Sequence, residues 1–482
     1  MSPAVDRETS EQLLSYITGA RWFAGKGRSA ELVGVTPLPW LTESASLPAV
    51  RFEMVEIGYR LDPADQTADG STTQEHELYQ LAVCYRNAPK AELQHAEIGR
   101  FTDPELGPVV AYDAMQDPEA CSLLVAMLLD EEHLVADDIS VAFRLSSPGG
   151  LRADLDPQVF TGQQSNTSVM FGEVAMMKLF RRLELGRNLD IEVHDALSRS
   201  GVGDVAQLFG WVEAEWPQQL SGQPGRQPVH SDLAMVVAKL PSAEDGWGLA
   251  LESLRHQDAA GYSDATSFTE DARGLGRALA KIHAALREHF PTASVRGAAV
   301  AEVMNARLDR AAAIAPALQP HLGGLRQAFD TLRTIELATQ RLHGDFHLGQ
   351  TLRTPQGWKI IDFEGEPVKT LAERSAPDSV WRDIAGMLRS FDYAAASVPG
   401  PRSQDWATDC RTAFLEGYAG GSLSVEDDRV LRAYEADKAV YEVVYEVRNR
   451  PEWVGIPLAA VATLSNTSEQ ATALEPTSIT KE

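Results

Sequence analysis

The chain has 482 residues, 44% of them hydrophobic, and a formal net charge of −26. This length predicts two or three domains with an ample core, and no apolar run is long enough to span a membrane. The negative charge disfavours nucleic acid and anionic membranes as partners, because both would repel the protein. Cys84, Cys121 and Cys410 are odd in number and far apart, and no secretory leader is evident, so we expect a reducing cytoplasm rather than a disulfide framework or a zinc site.

Residues 1–140 are predicted to form an N-terminal cap subdomain. A helical stretch precedes the compact segment 21–28 (RWFAGKGR), and segments 50–57 and 79–85 then alternate apolar and polar residues. A period of two is typical of half-buried antiparallel strands. The Gly-Lys-Gly at 25–27 has neither the spacing nor the preceding strand of a phosphate-binding loop, so no nucleotide role is predicted there.

Residues 141–240 are predicted to form a small, β-rich nucleotide-binding lobe. The polar loop 161–168 (TGQQSNTS) leads into a short strand, and the next strand, 174–180, carries Lys178 among apolar neighbours. A buried lysine needs an anionic partner, and the following helical segment offers Glu192. Kinases pair a strand lysine with a helix glutamate and direct it at the α- and β-phosphates. The loop lacks a Gly-x-Gly-x-x-Gly pattern, so Ser165 and Thr167 are expected to bind ATP together with backbone N–H groups.

The apolar run 233–240 is predicted to be the strand that leaves this lobe. Met235, Val236 and Val237 are the candidate hinge, whose backbone groups would bind the adenine ring of ATP. An ordinary sheet strand is the alternative explanation of the same run.

Residues 241–482 are predicted to form a large, mostly helical lobe that holds the catalytic loop and the sugar site. Apolar residues recur at helical spacing over 271–288, 300–319 and 325–342. These three segments are predicted to be helices.

Two neighbouring segments, 341–350 (RLHGDFHLGQ) and 360–367 (IIDFEGEP), carry the residues that phosphoryl transfer needs. That reaction requires a carboxylate to take the proton of the attacking hydroxyl and two oxygen ligands to hold magnesium. Asp345 fits the first task, and Gln350 and Asp362 fit the second. A turn at 354–357 between two short strands would bring Asp362 beside the loop that carries Asp345. A surface turn and a helix cap are the alternative, but motif, spacing and the apolar strand all agree on a kinase.

The two histidines beside the base receive different predictions. His343 is interpreted as a structural hydrogen-bonding residue, and His347 as a residue near the substrate.

A helix over 432–447 is predicted to form the substrate site. Tyr434, Lys438, Tyr441, Glu442 and Tyr445 fall near one face at steps of three and four residues. A stripe of aromatic and charged side chains suits a sugar, although a solvated face with half-buried tyrosines would look similar. The residues predicted to bind the substrate are Asp345, His347, Arg432, Asp437, Lys438, Tyr441, Glu442, Tyr445 and Glu446.

Four segments together, 164–168, 343–350, 362–367 and 437–442, resemble the actinobacterial maltokinase-like and glucosamine kinase family. This family belongs to the aminoglycoside-phosphotransferase and eukaryotic-kinase-like fold group. The resemblance implies an α+β, bilobal protein-kinase-like fold with an N-terminal cap, a small β-rich lobe, a hinge and a helical lobe. It also implies ATP with Mg²⁺ in the cleft, Asp345 as base, Gln350 and Asp362 as metal ligands, and Lys178 on the phosphates.

Departures from the maltokinase pattern favour the glucosamine branch. Residues 186–190 (GRNLD), residues 236–238 (VVA) and Arg432 before Tyr434 differ from typical maltokinases. The predicted reaction converts D-glucosamine and ATP to D-glucosamine 6-phosphate and ADP, with Asp437, Glu442 or Glu446 holding the ammonium group.

Two alternatives stay open. One is a maltokinase that forms maltose 1-phosphate, and the other is a catalytically inactive kinase-like protein that binds a sugar. An inactive protein would usually have lost the base, the lysine or a metal ligand, and this chain keeps each of them. We expect a small sugar as partner and a monomer or a weak homo-oligomer.

Overall fold

The structure, a computed structural model, describes residues 7–43, 46–59, 75–160, 165–217, 228–259, 268–366 and 369–473. Its contacts divide the chain into two compact units. The first comprises residues 1–195 and 206–241, and the second comprises residues 196–205 and 242–482. The first is built mainly from strands and the second mainly from helices, so the predicted mixed α+β organisation is confirmed.

The first unit contains thirteen strands among its described residues: β1 (Ala30–Pro37), β2 (Ala49–Tyr59), β3 (Glu75–Arg86), β4 (Glu97–Asp103), β5 (Gly107–Asp113), β6 (His133–Ala136), β7 (Ile139–Leu145), β8 (Pro157–Val159), β9 (Thr167–Phe171), β10 (Ala175–Leu179), β11 (Arg182–Leu183), β12 (Leu208–Pro217) and β13 (Pro228–Ala238). Its helices are α1 (Arg7–Gly19), α2 (Pro118–Leu129) and the first part of α3 (Leu189–Arg199).

These strands form two antiparallel sheets. One has the order β1-β2-β3-β5-β4, with β11 paired to β3, and the other has the order β6-β7-β12-β13-β10-β9-β8. The predicted strands at 50–57 and 79–85 are confirmed, but they are buried on both faces rather than one. In β2, Val50 and Phe52 pack into one core, whereas Val55 and Ile57 pack into another.

A single apolar core joins the two sheets of the first unit. Phe52 from β2, Val125 from α2 and Phe143 from β7 all belong to it and are almost completely buried. Burial of this kind is the main stabilising contribution to folding. Because this core crosses residue 140, the division of the unit into a cap and a lobe at that position stays a prediction.

The helices of the second unit are the end of α3, α4 (Gly246–Ala259), α5 (Thr269–His289), α6 (Gly297–Ile314), α7 (Leu322–Asp330), α8 (Leu371–Ser375), α9 (Trp381–Ser397), α10 (Ser403–Ala419), α11 (Val425–Asn449) and α12 (Gly455–Ala473). Two small antiparallel sheets accompany them, formed by β14 (Glu244–Asp245), β17 (Thr351–Thr354) and β18 (Gly357–Ile360), and by β15 (Ala293–Arg296) and β16 (Glu336–Thr339). No helix within the described residues is long and apolar enough to cross a membrane.

The helix predicted over 325–342 is wrong in its second half. Helix α7 ends at Asp330, a 3-10 turn follows, and β16 then pairs with β15. The local spacing of apolar residues favours a helix, but pairing with a strand about 40 residues earlier overrides that preference. As a result, the chain enters the catalytic motif from a strand.

Candidate active site

The catalytic loop is held in place by Asp383, in the first turn of α9. Its carboxylate accepts hydrogen bonds from the backbone N–H groups of His343 and Gly344, each at 2.9 Å. The Nε2 atom of His283 lies 2.9 Å from the same carboxylate. Burial alone would raise the pKa of Asp383, but the hydrogen bond and charge of His283 lower it, so the group stays ionised. Sequence reasoning did not identify this role of Asp383.

The structural role predicted for His343 is confirmed. Its Nε2 atom lies 3.0 Å from the backbone oxygen of Ile361, and the N–H of Asp345 donates to its Nδ1 atom at 3.4 Å. Gly344 has a φ of 87°, a left-handed conformation that glycine adopts without strain. The loop therefore turns sharply just before Asp345.

The two predicted metal ligands lie side by side. Strands β17 and β18 form a hairpin in which Thr351 pairs with Ile360 and Thr354 with Gly357, so the predicted turn at 354–357 is confirmed. Gln350 precedes this hairpin and Asp362 follows it, which puts the Nε2 atom of Gln350 3.1 Å from the Oδ2 atom of Asp362. Asp362 has a φ of 67°, an uncommon conformation for a residue other than glycine that concentrates at functional sites.

A cavity of about 750 Å³ in the second unit contains the predicted base and most of the predicted sugar-binding residues. From the predicted set, its walls contain Asp345, His347, Lys438, Tyr441, Glu442, Tyr445 and Glu446. Sequence reasoning did not identify the other wall residues, which include Trp247, Glu366, Tyr393, Arg450 and Trp453. Helix α11 supplies one wall because its residues at steps of three and four face the cavity.

Lys438 and His347 flank the carboxylate of Asp345. The Nζ atom of Lys438 lies 3.7 Å from Asp345 and 3.6 Å from Glu366. Burial lowers the pKa of Lys438, but these two carboxylates and Glu442 outweigh it and raise the pKa, so the ammonium stays protonated. The Nε2 atom of His347 lies 3.9 Å from Asp345. Burial lowers the pKa of His347, which favours a neutral ring.

Three other carboxylates in the cavity wall differ in how many of their oxygens are engaged. Glu446 uses both, since Arg450 donates to each and Tyr393 donates to one. Glu366 has Lys438 near one oxygen and Lys369 2.9 Å from the other.

Glu442 is different from these two. Its Oε2 atom accepts from Arg389 at 2.9 Å, and its Oε1 atom has no hydrogen-bond partner within the part of the chain that the structure describes. Burial raises the pKa of Glu442, although Arg389 and Lys438 partly oppose this shift.

Two predicted sugar-binding residues lie outside this cavity. Arg432 is exposed and pairs with Asp428 at 2.9 Å. Asp437 is buried, pairs with Arg307, and lines a smaller cavity of about 140 Å³ that shares Glu366, Lys438 and Tyr441 with the first. Arg432 is therefore corrected as a sugar ligand, whereas a role for Asp437 in sugar binding stays a prediction.

In the first unit, Lys178 forms an ion pair with Asp190, which sequence reasoning did not identify. The distance from Nζ to the Oδ2 atom of Asp190 is 3.0 Å, and Asp190 is fully buried. Asp190 lies in the first turn of α3, as does the predicted partner Glu192. A role for Glu192 beside Lys178 stays a prediction.

The polar loop is only partly described, because residues 161–164 lie outside the described ranges. Ser165 is exposed. Ser168 pairs in register with Lys178, so both side chains lie on the same face of the sheet. Thr167 lies on the opposite face, where its hydroxyl accepts from the Nε atom of Arg181 at 2.7 Å. The predicted contact of the Thr167 side chain with ATP is therefore corrected. Ser168, rather than Thr167, lies on the same face of the sheet as Lys178.

The predicted hinge residues lie near the C-terminal end of β13. Met235, Val236 and Val237 are in register with β10 on one side and β12 on the other. Their backbone groups are used in these ladders and are not available to an adenine ring, so this assignment is corrected. The strand ends at Ala238, and the chain passes from the first unit to the second after Pro241.

Two family models match the chain. The model of the maltokinase N-terminal cap domain matches residues 16–117, and the model of the phosphotransferase enzyme family matches residues 248–434. The second match contains Asp345, Gln350 and Asp362. Together they agree with a cap followed by a phosphotransferase domain.

Curated relatives and solved structures are similar to the chain over most of its length. A glucosamine kinase from Streptacidiphilus jiangxiensis is 31% identical over 362 residues, which cover 68% of this chain and 78% of the relative. A glucosamine kinase from Mycolicibacterium smegmatis (strain ATCC 700084 / mc(2)155) is 26% identical over 327 residues, covering 63% and 78%. A structure of a glucosamine kinase in complex with glucosamine, ADP and inorganic phosphate aligns with a TM-score of 0.63 and 22% identity, covering 96% of this chain and 100% of that one. That likeness confirms the predicted kinase-like α+β fold, and the first relative shows that the chain belongs to the glucosamine kinase family.

Proposed function

We propose that the protein is an ATP- and Mg²⁺-dependent kinase that phosphorylates the 6-hydroxyl of D-glucosamine. The observation that carries the proposal is the cavity in which Asp345 lies among aromatic rings and the buried carboxylate of Glu442. Membership of the glucosamine kinase family supports the same substrate.

Asp345 would act as the general base. A substrate hydroxyl within hydrogen-bond reach of its carboxylate would give up its proton as the oxygen attacks the γ-phosphorus of ATP. The Lys438 ammonium, 3.7 Å from Asp345, would place positive charge where the transferred group carries negative charge. Lys178 would bind the α- and β-phosphates, as a strand lysine does in kinases.

Gln350 and Asp362 fit a magnesium ion. Amide and carboxylate oxygens are ligands that this cation prefers, and the two side chains already lie 3.1 Å apart. When bound, Mg²⁺ would neutralise charge on the β- and γ-phosphates.

Aromatic side chains give the cavity the surfaces that a sugar ring needs. The rings of Tyr441 and Tyr445 stack with centroids 6.4 Å apart, and those of Tyr393 and Trp453 do the same at 6.4 Å. Such rings would pack against the C–H faces of a hexose, while carboxylates and the Lys438 ammonium bind its hydroxyl groups.

Glu442 is the proposed partner of the substrate ammonium group. Asp345 is required as the base, Glu366 has a lysine near each oxygen, and Glu446 uses both of its oxygens. Of Glu366, Glu442 and Glu446, only Glu442 has an oxygen, Oε1, without a partner among the described residues. A substrate ammonium would supply a hydrogen bond to that oxygen and offset the cost of burying the carboxylate.

A maltokinase activity is the second candidate, favoured by the match to the maltokinase cap model. Maltose has no amine, so it would offer the Oε1 atom of Glu442 only a neutral hydroxyl. A catalytically inactive sugar-binding protein is less well supported, because Asp345, Gln350, Asp362 and Lys178 are all present.

Steady-state ADP release with glucosamine, maltose and glucose tests the proposal. We expect kcat/KM to be highest for glucosamine. We also expect no turnover of any sugar when Mg²⁺ is absent. A far higher kcat/KM for maltose would overturn the choice of substrate. Absence of ADP release with every sugar and aminoglycoside would favour the inactive binding protein instead.

The proposed reaction fits a cytoplasmic location, where ATP is supplied and thiols stay reduced. Cys84, Cys121 and Cys410 are buried and unpaired, as this environment requires. A monomer or a weak homo-oligomer remains our prediction for the state of assembly.

A further inference from the structure

A buried arginine connects the first sheet of the structure to the polar loop before β9. Arg181 lies between β10 and β11, and its side chain is completely buried. Its Nη2 atom donates to the Oδ2 atom of Asp113 at 2.5 Å, and its Nε atom donates to the hydroxyl of Thr167 at 2.7 Å. Asp113 ends β5, in the six-stranded sheet, whereas Thr167 begins β9, in the seven-stranded sheet.

Asp113 is itself firmly anchored. Its Oδ1 atom accepts from the backbone N–H of Met115 at 3.1 Å, and its Oδ2 atom accepts from the hydroxyl of Tyr16, on α1, at 2.8 Å. The ring of Trp22 lies 4.9 Å from the guanidinium carbon of Arg181. The arginine is thus fixed to residues within the segment that matches the cap model, residues 16–117.

Stability alone is a weak explanation of this arrangement. A buried ion pair is often no more stable than apolar residues of similar volume, because both charges lose their hydration. The Nη1 atom of Arg181 is also buried without a hydrogen-bond partner among the described residues, which adds to the cost. Its contacts do fix the position of Thr167, and the next residue, Ser168, shares a sheet face with Lys178.

We propose that Arg181 is a positioning residue for nucleotide binding. Asp113 orients Arg181, Arg181 holds Thr167, and Thr167 fixes the start of β9, which follows the exposed Ser165 and pairs with the strand of Lys178. Backbone that is fixed before the nucleotide arrives loses less conformational entropy on binding. This inference rests on the proposed function, since it takes Ser165 and Lys178 as residues that bind the ATP phosphates.

The test measures the affinity for ADP with Mg²⁺ by calorimetry, together with KM for ATP and for glucosamine. In Arg181→Met and in Thr167→Val we expect the dissociation constant of ADP and the KM for ATP to rise on the order of 10-fold. The KM for glucosamine should change by less than about 2-fold, which is the size of effect expected from a substitution that does not act on the sugar site.

The matched control is Arg86→Met. Arg86 is another buried arginine of the same unit, and it donates to Asp117 at 2.6 Å and to Glu119 at 2.7 Å, at the start of α2. Its removal should lower the melting temperature as Arg181→Met does and leave the affinity for ADP unchanged. If Arg181→Met does not fold, Thr167→Val alone decides the question, since valine keeps the shape of threonine and removes only the hydroxyl.

Two outcomes would overturn the inference. One is an affinity for ADP that falls no further in Arg181→Met and Thr167→Val than in Arg86→Met. The other is an equal loss for ATP and for glucosamine, which would indicate general destabilisation. Failure of the proposed function is distinguishable, because the wild type would then release no ADP with any sugar while its binding of ADP could still be measured.

Discussion

Asp345 lies between the side chains of Lys438 and His347, at the wall of the cavity that would hold the sugar. The Nζ atom of Lys438 is 3.7 Å and the Nε2 atom of His347 is 3.9 Å from its carboxylate. The role of Asp345 as the base stays a prediction.

Asp345→Asn should therefore remove turnover and leave nucleotide binding intact. Asparagine has the same shape but cannot accept the hydroxyl proton, so we expect kcat to fall by about 10²–10⁴-fold. ADP release measures the loss, and calorimetry with ADP and Mg²⁺ serves as the control. A variant that keeps more than about a tenth of the wild-type kcat would argue against Asp345 as the base.

Glu442→Gln should reduce the preference for glucosamine over glucose. The amide cannot pair with an ammonium ion, so we expect the ratio of kcat/KM values to fall by about 10-fold or more. The matched control is Glu446→Gln, on the same helix, which should affect both sugars alike because Glu446 is already engaged by Arg450 and Tyr393.

The same residue predicts a dependence on pH. Burial raises the pKa of Glu442 above its ordinary value of 4.5, so its carboxylate becomes protonated at a higher pH than an exposed glutamate. The ratio of kcat/KM for glucosamine to that for glucose should decline as the pH falls through this raised pKa. Taking the ratio cancels any effect of pH that is common to the two sugars. A ratio that stays constant in the acidic range would contradict the assignment.

At the scale of elements, helix α11 presents different residues to different surroundings. Lys438 and Tyr441 face the cavity, whereas Arg432 is exposed and paired with Asp428. We expect Arg432→Ala to leave kcat and both KM values within about 2-fold of the wild type, as is usual for an exposed pair. A loss of sugar affinity in Arg432→Ala would contradict this expectation and support a role for Arg432 in sugar binding.

Lys438→Met should lower kcat/KM for every sugar, because it removes the ammonium group beside Asp345.

The catalytic loop depends on the first turn of α9. Asp383→Asn replaces a buried carboxylate that accepts from His343, Gly344 and His283. We expect it to cost about 2–5 kcal/mol of unfolding free energy and to lower kcat, because a loop amide or His283 loses its acceptor. Denaturant unfolding and ADP release measure the two effects.

The pKa of Asp383 also sets the sign of an acid effect. Its folded-state pKa lies below the ordinary value of 3.8, so the group stabilises the fold above that value. This contribution is lost as the pH falls from 3.8 through the lowered pKa. The stability of Asp383→Asn should therefore depend less steeply on pH in this acidic range than that of the wild type.

For the whole molecule, magnesium should link nucleotide binding to thermal stability. ADP at about 100 times its dissociation constant would add about 2.7 kcal/mol, which appears as a higher melting temperature. We expect EDTA or Asp362→Asn to remove most of this shift. Glucosamine alone should still stabilise both the wild type and Asp362→Asn, because Gln350 and Asp362 do not line the sugar cavity. An equal ADP shift with and without Mg²⁺ would contradict the proposed metal ligands.

The sequence by itself determined the chemistry, because the residues that perform it are close together along the chain. Asp345, Gln350 and Asp362 are joined by a short loop and one hairpin, so motif and turn residues were enough to place them together. The stripe on α11 was predictable for a similar reason, since helical periodicity is local.

The tertiary structure decided what supports and surrounds those residues. His283 and Asp383 lie 60 and 40 residues from the loop that they hold, counted from His343. Asp190 pairs with Lys178, and the backbone of residues 235–237 in β13 is closed to adenine, because pairing between segments distant in sequence fixes which groups are used. The choice of Glu442 for the ammonium group also depends on Arg389, Tyr393 and Arg450. Their hydrogen bonds engage both oxygens of Glu446 but only one oxygen of Glu442, and no local pattern could have shown this difference.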